Sequence, residues 1–178
     1  MPKKNVLVVA GANGVSGRAA AKHWATIPDT RVLGLSRRTM PLPEGVEGIG
    51  VDLLDVEDVR RKLTAITDVT HIVFGAYVEK RDPAERTAVN VALVKNLLDV
   101  VEASSPSLRH VTLYQGSKAY GADLGPFKTP AREEDPRLMP PNFYYDQHRH
   151  PRNVRQSFRG TPARACYSVN AFREIRVR

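Results

Sequence analysis

Residues 5–17 read NVLVVAGANGVSG and indicate the fold of the whole chain. The first six, Asn5 to Ala10, form a short valine-rich run, which is typical of a buried parallel strand. In a unit of strand, loop and helix, glycines permit a tight turn and let the backbone approach a pyrophosphate at the helix N-terminus. We therefore predict a phosphate-binding loop directly after the strand. Its predicted binding residues are Gly11, Asn13, Gly14, Val15 and Gly17.

Helical and strand patterns alternate along the next hundred residues. The predicted elements are a helix over 15–27, strands over 31–35 and 46–51, a helix from the N-cap Asp55 to Leu63, a strand over 69–75, a helix from Pro83 to Ala103 and a strand over 108–114. Such alternation predicts a parallel sheet covered on both faces, which is the doubly wound α/β class. The segment 116–141 is rich in Gly, Pro and charge, and its length favours a functional loop.

Composition excludes several classes of protein. Hydrophobic residues make up 42% of the 178 and charged residues 26%, and no apolar run reaches the roughly 20 residues of a membrane span. The N-terminal residues contain no signal-peptide core. Cys166 is the single cysteine, so no intramolecular disulfide forms. We expect a cytoplasmic protein that does not bind membranes.

Ser36-Arg37-Arg38 follows the second predicted strand, about 20 residues beyond the loop. At this position an NAD enzyme usually carries an acid for the ribose hydroxyls, whereas an arginine accommodates the 2′-phosphate of NADP. The residues therefore predict NADP(H), with a solvated charge pair as the alternative. Asp52 and Leu53, after the third strand, are expected near the adenine, and a turn-capping aspartate is the alternative for Asp52.

Two motifs late in the chain resemble one particular family. They are Gly116-Ser117-Lys118 and Asn142-Phe143-Tyr144-Tyr145-Asp146. With the G-x-x-G-x-x-G spacing of the loop they resemble the progesterone 5β-reductase and iridoid synthase-like (PRISE) family, a branch of the extended short-chain dehydrogenases/reductases. Further agreement comes from Thr67-Asp68-Val69-Thr70-His71, from Gly125-Pro126-Phe127 and from Glu134-Asp135-Pro136-Arg137-Leu138.

The resemblance implies a Rossmann fold and conjugate reduction of the activated C=C bond of an enone or enal by NADPH. It implies Tyr144 as the donor to the carbonyl oxygen and Lys118 as the residue that orients or polarises Tyr144 and the cofactor ribose. A core aromatic and a solvated lysine are the respective alternatives. The predicted cofactor-binding set is completed by Gly75, Ala76, Gln115 and Gly116.

Tyr114 and Lys118 also fit the ordinary Y-x-x-x-K pattern, in which both side chains share one face of a helix. Here the pair straddles the end of a predicted strand. That location does not bring the two side chains together, so we interpret the spacing as a coincidence.

The resemblance ends at residue 147, and the composition changes there. Residues 148–178 contain eight arginines, no lysine and one acid, a local charge of +7, whereas residues 1–147 carry +1 of the total +8. We expect an NAD(P)-binding domain over 1–147 and a basic tail over 148–178, with truncation or a frameshift after 147 as the hypothesis. The family's substrate lobe and a sixth strand are then expected to be missing, and activity to be impaired.

Metal binding or nucleic-acid binding by the basic tail, and two other functions of the whole chain, have to be considered. His148 and His150 without a third ligand predict no metal site, and the few aromatic residues among the arginines argue against nucleic acid. The expected substrate is a small carbonyl or enone compound, and a homo-oligomer stays open. Two other functions also stay open. One is a cofactor-sensing regulator that binds NADP without turnover, and the other is a nucleotide-sugar epimerase or dehydratase.

Overall fold

The computed structural model describes residues 4–38, 41–132 and 134–147, and the backbone of 166–171. Six strands form one sheet: β1 (Asn5–Ala10), β2 (Thr30–Ser36), β3 (Val46–Gly50), β4 (His71–Phe74), β5 (His110–Gln115) and β6 (Cys166–Ala171). All neighbouring strands pair in parallel, in the order β3-β2-β1-β4-β5-β6. This order reverses direction between β1 and β4, and ligands of such sheets bind at the carboxyl ends of the strands at this point.

The two faces of the sheet are covered by different helices: α1 (Val15–Ala25) on one side, α2 (Val56–Leu63) and α3 (Pro83–Ser104) on the other. Successive side chains of a strand point to opposite faces, and β1 follows this rule. Val6 and Val8 join the larger core with α2 and α3, while Leu7 and Val9 join the smaller core with α1. The apolar run of β1 is therefore buried on both faces, as the sequence predicts.

The helices begin and end where local sequence permits. The Asp55 carboxylate accepts hydrogen bonds from the Glu57 and Asp58 backbone and caps α2 as predicted. Asp82 caps α3 in the same way, and Pro83 occupies its first turn. The first helix ends two residues earlier than predicted, at Ala25, because the chain tightens into i to i+3 hydrogen bonds there.

The edge beyond β5 differs from the sequence prediction. We expected no sixth strand, but β6 pairs with β5 in register, from His110 opposite Cys166 to Gln115 opposite Ala171. Tyr167 and Val169 alternate with small polar residues, a pattern that favours strands and that the arginine-rich surroundings conceal. The rest of the predicted basic tail, including His148 and His150, lies outside the described residues.

Candidate functional site

The glycine loop closes over the carboxyl end of β1 and lies against the end of β4. The Gly11 and Ala12 amides donate to the Leu35 carbonyl at 3.0 and 3.1 Å, and the Gly75 amide donates to the Ala10 carbonyl at 3.0 Å. Gly11 has a φ of +80°, and a Cβ there would lie 2.8 Å from the Ala76 nitrogen. Only glycine permits this turn and this approach, so the two loops meet as one backbone surface.

Gly17 is required for packing within the loop, whereas Gly14 leaves space at the N-terminus of α1. A Cβ on Gly17 would lie 2.2 Å from the Gly11 carbonyl oxygen, so Gly17 allows α1 to pack under the loop. Gly14 is the N-cap of α1, and its own Cβ would meet only that oxygen, at 3.3 Å. No side chain caps α1, and its first turn has no acidic residue. The first amides of α1 are therefore available to an anion, which fits the predicted phosphate site.

A cleft of about 310 Å³ opens between these loops. Eight predicted cofactor-binding residues line it: Gly11, Asn13, Gly14, Ser36, Arg37, Leu53, Gly75 and Ala76. Six others lie outside its lining: Val15, Gly17, Arg38, Asp52, Gln115 and Gly116. Val15 is 93% exposed beside the loop, whereas Gly17 is buried under it. The lining also includes five residues that the sequence analysis missed: Leu35, Val51, Tyr77, Val78 and Leu93.

The loop after β2 is fastened to the glycine loop. The Ser36 hydroxyl and the Asn13 amide both donate to the Arg38 carbonyl, at 2.7 and 2.8 Å. Arg37 therefore lines the cleft while Arg38 contributes its carbonyl. Within the described part of the chain neither guanidinium forms a salt bridge, and the buried Oδ1 of Asn13 has no partner. An unpaired guanidinium beside a buried acceptor suits a ligand that carries both phosphate and hydroxyl groups.

The loop after β3 forms the opposite wall. The Asp52 carboxylate accepts from the Leu54 amide at 3.0 Å, so Asp52 caps a turn, which was the alternative prediction for it. Leu53 is buried and lines the cleft, and its carbonyl accepts from Asn96 at 2.8 Å. This wall is thus apolar at the cleft, which suits the flat face of a base.

Lys118 lies on the short 3-10 helix Ser117–Tyr120, which follows β5. Its ammonium donates to the Tyr77 hydroxyl at 2.9 Å and to the Glu79 carboxylate at 2.8 Å, and it lies 5.2 Å from the centre of the Tyr77 ring. The hydrogen bonds from Lys118 and Tyr77 lower the pKa of Glu79 to about 2. Burial lowers the pKa of Lys118, but Glu79 and Tyr77 outweigh it and raise that pKa overall. The motif Gly116-Ser117-Lys118 predicts Lys118 as a site residue but neither of its partners.

Tyr144 lies in the helical residues 143–147. The Gln115 side chain donates to the Tyr144 carbonyl at 3.1 Å, and Asn142 accepts from the Tyr144 amide at 3.1 Å and donates to the Lys118 carbonyl at 3.0 Å. Burial raises the pKa of Tyr144, whereas the Gly116 backbone and the charge of Lys118 oppose that rise. The structure therefore brings the two predicted catalytic residues into one electrostatic environment.

Tyr114 packs elsewhere. Its ring lies against the smaller core, and burial raises its pKa. The polar partners of Lys118 are Tyr77 and Glu79, on the loop that follows β4. The Y-x-x-x-K spacing thus does not form a catalytic pair in this fold, in agreement with the interpretation of the sequence.

The long loop 116–141 is held at several points. Arg86 pairs with Asp123 at 2.7 Å, and the Tyr145 hydroxyl donates to the Ala119 carbonyl at 2.5 Å. The loop also lines a second pocket of about 370 Å³, which is open to solvent and lies between Tyr120 and Leu138. The loop thus contributes Lys118 to the candidate site and is tied to α3 through Arg86 and to the segment 143–147 through Tyr145.

Two further findings concern the described residues only. No helix in them combines the length and apolar character of a membrane span. Within the same residues, no group of three or more His, Cys, Asp or Glu side chains is arranged to hold a metal ion.

Solved structures similar to this chain share its fold. A short-chain dehydrogenase/reductase superfamily protein from Agrobacterium tumefaciens with bound NAD matches with a TM-score of 0.67 and 22% identity, over 93% of this chain and 48% of its own. A UDP-Glc/GlcNAc 4-epimerase from Campylobacter jejuni matches with a TM-score of 0.70 and 14% identity, over 94% and 53%. At these identities the likeness concerns the fold alone.

Curated relatives are more similar in sequence. A 3-oxo-Delta(4,5)-steroid 5-beta-reductase from Arabidopsis thaliana is 32% identical over 160 residues, which cover 81% of this chain and 40% of the relative. A (S)-8-oxocitronellyl enol synthase from Catharanthus roseus is 32% identical over 157 residues, 80% of this chain and 39% of the relative. The chain thus spans about two fifths of the length of these relatives.

A family model covers more than half of the chain. The PRISE-like Rossmann-fold domain matches residues 45–156, a range that includes Lys118, Tyr144 and the loop that carries Glu79. The motifs at 116–118 and 142–146 predicted this family. The chain belongs to the family of PRISE-like Rossmann-fold domains.

Proposed function

We propose that this chain is the cofactor-binding part of an NADPH-dependent reductase that acts on the C=C bond of a small enone or enal. The observation that carries the proposal is the joint placement of a glycine-lined cleft, Lys118 and Tyr144 at the carboxyl end of the sheet. The relatives named as steroid 5-beta-reductase and 8-oxocitronellyl enol synthase support the class of substrate.

The residues of the cleft fit a nicotinamide dinucleotide, and we propose NADP(H) rather than NAD(H). The uncapped N-terminus of α1 and the Gly11 turn would hold the pyrophosphate. Arg37 lines the cleft without a salt-bridge partner among the described residues and would pair with a 2′-phosphate. Arg38, Asp52, Gln115 and Gly116 lie outside the lining, so we propose for them a supporting role through backbone and turn contacts.

The chemistry follows from the proposed positions of the two side chains. NADPH supplies hydride to an activated C=C bond when it is bound. The Tyr144 phenol, whose pKa is raised by burial, keeps its proton at neutral pH and can donate a hydrogen bond to the carbonyl oxygen on which negative charge develops. Lys118, a cation near that phenol, would stabilise the same charge.

The division of the chain is part of the proposal. We propose residues 1–147 as the cofactor-binding domain and 148–178 as a basic segment, of which residues 166–171 add the sixth strand to the same sheet. We also propose a cytoplasmic location, which the single cysteine supports.

Two measurements test the function. Fluorescence titration should give a lower Kd for NADPH than for NADH, and NADPH oxidation should be accelerated by a panel of small enones. Tyr144→Phe should reduce that oxidation about 100- to 1000-fold, because one donor to a developing oxyanion is removed, and should leave the Kd of NADPH unchanged. Full activity in Tyr144→Phe would remove Tyr144 from the mechanism.

A second function is favoured by one specific observation. Neither Lys118 nor Tyr144 is among the residues that line the cleft, so cofactor binding without turnover is a consistent alternative. A protein that binds NADPH tightly and oxidises it with none of the enones would be a cofactor-sensing regulator instead of a reductase.

A further inference from the structure

Glu79 joins the groups that surround Lys118 at the mouth of the cleft. Its carboxylate accepts from the Lys118 ammonium at 2.8 Å and from the Tyr77 hydroxyl at 2.6 Å. Tyr77 in turn accepts from Lys118 at 2.9 Å, so the three side chains form a closed triangle of hydrogen bonds. Arg86 adds a longer contact to the same carboxylate at 3.5 Å.

The triangle connects two separate parts of the chain. Tyr77 and Glu79 belong to the loop between β4 and α3, whereas Lys118 lies about 40 residues later, beyond β5. Tyr77 lines the cofactor cleft, and its ring packs on Phe143 at 5.3 Å. Phe143 packs in turn on Tyr144 at 4.0 Å. The triangle therefore borders both the proposed cofactor site and the proposed hydrogen-bond donor.

A lone lysine at this location would have no fixed position. Its ammonium lies at the end of a flexible four-carbon stem, and 30% of the side chain is exposed. A simple surface ion pair fixes such a group poorly. Here the ammonium has a carboxylate on one side, a phenol oxygen on another and the Tyr77 ring at 5.2 Å, and together these contacts determine one position.

We propose that Glu79 is a positioning residue that holds Lys118 at the mouth of the cleft, with the Tyr77 hydroxyl as the third member of the unit. This inference rests on the proposed function, in which Lys118 acts on the reacting oxygen through its position beside Tyr144. Glu79 itself touches neither cofactor nor substrate.

The test compares Glu79→Gln with a matched control, Glu85→Gln. Both changes remove one charge from a partly exposed glutamate of the same region, but Glu85 pairs with Lys80 rather than with Lys118. The first readout needs no turnover: each protein, free of cofactor, is briefly treated with acetic anhydride, and the acetylation of Lys118 is followed by peptide mass spectrometry. Glu79→Gln should raise the rate at Lys118 by roughly threefold, and Glu85→Gln should leave it unchanged.

The second readout is steady-state NADPH oxidation with an enone. Glu79→Gln should lower kcat about 10-fold and leave the Kd of NADPH within about twofold, since it displaces a group near the reacting oxygen and not one at the phosphates. Glu79→Asp, which keeps the charge, should recover part of the loss. An equal loss of kcat in Glu85→Gln would show that charge near the site matters and that position does not, and it would overturn the proposal.

The two readouts separate this inference from the proposed function. Unchanged acetylation of Lys118 in Glu79→Gln overturns the inference whether or not the protein turns over. A threefold rise in a protein that oxidises NADPH with none of the enones supports the holding of Lys118 by Glu79 and refutes the reductase. A rise with an unchanged kcat shows that the position of Lys118 is irrelevant to catalysis, and this result also overturns the inference.

Discussion

A methyl group added at Gly17 should lower the stability of the fold, whereas a methyl group added at Gly14 should weaken cofactor binding. In Gly17→Ala the new methyl would lie 2.2 Å from the Gly11 carbonyl oxygen. That oxygen has to move by about 1.2 Å to reach an ordinary contact, and it also accepts the Gly14 amide at 2.9 Å. Overpacking at about 1–3 kcal/mol and a weakened turn hydrogen bond at about 0.5–1.5 kcal/mol predict a loss of about 2–4 kcal/mol.

Gly14→Ala should leave the fold intact. Gly14 has φ −76° and ψ 164°, which any residue adopts, and its methyl would meet only one atom, at 3.3 Å. We expect a change in stability within about 1 kcal/mol. Gly14 lines the cleft at the N-terminus of α1, so the methyl should displace a phosphate from the amides there. The loss of one charge-assisted hydrogen bond predicts a Kd for NADPH that is about 10- to 150-fold higher.

Thermal unfolding followed by circular dichroism, together with fluorescence titration of NADPH, measures both effects. For a chain of this size, the melting temperature of Gly17→Ala should fall by about 4–16 °C, and that of Gly14→Ala should stay within about 4 °C of the unaltered protein. A melting temperature of Gly17→Ala within about 2 °C of the unaltered protein would refute the packing argument. An unchanged Kd in Gly14→Ala would show that the glycine loop is not the phosphate site.

Three other changes test separate parts of the structure. Arg37→Glu should raise the Kd of NADPH about 10- to 150-fold and change the Kd of NADH little. Arg38 lies outside the cleft lining, so Arg38→Glu should raise the Kd of NADPH less. Equal increases in the two variants, measured by titration, would contradict the assignment of Arg37 to the 2′-phosphate. The pKa of His71 is held below its ordinary 6.5, chiefly by burial, so the unfolded chain takes up a proton first as the pH falls. Urea unfolding should therefore give a free energy that decreases below about pH 6.5, and His71→Gln should flatten this dependence. Asn90→Leu leaves the amide and carbonyl of Val78 without their partners at 2.9 and 2.7 Å, and should cost about 2–5 kcal/mol in the same assay.

The sheet and the glycine loop could be predicted because their signals are local. The valine run of β1 is buried on both faces, and the Asp55 cap and the Pro83 helix start depend on neighbours within one turn. The strand β6 was not predicted because Tyr167 and Val169 lie in an arginine-rich segment, whose composition does not indicate a buried strand. The parallel pairing with β5 joins residues that are far apart in the sequence, and a local pattern does not predict such contacts.

The predicted site was incomplete for a related reason. Lys118 and Tyr144 were predicted from motifs, but Tyr77 and Glu79 belong to no motif that the sequence analysis singled out. Their contacts with Lys118 span about 40 residues and arise only when the loops after β4 and β5 meet. One signal was available in the sequence: Tyr77 and Glu79 follow a strand next to the switch point, where polar side chains collect near a ligand.

The hydrogen bonds around Tyr144 bear on the expectation that activity is impaired for want of a distal lobe. A segment that held Tyr144 only loosely would impair activity, because the phenol could not keep a fixed orientation toward the substrate. Several contacts hold this segment: Gln115 donates to the Tyr144 carbonyl, the Tyr145 hydroxyl donates to the Ala119 carbonyl, Gln147 donates to the Asn90 carbonyl at 2.9 Å, and the Tyr77 ring packs on Phe143. Gln147 is only 3% exposed, so the far end of the segment is anchored in the core.

The position of Tyr144 is therefore determined by contacts within this chain. These contacts orient the phenol before a substrate binds. The kcat for a small enone should accordingly be sensitive to Tyr144→Phe even where a high KM makes turnover weak, because weak binding raises KM while the phenol acts on the bound substrate. A kcat that is very low and indifferent to Tyr144→Phe would mean that these contacts do not hold the phenol in its working position.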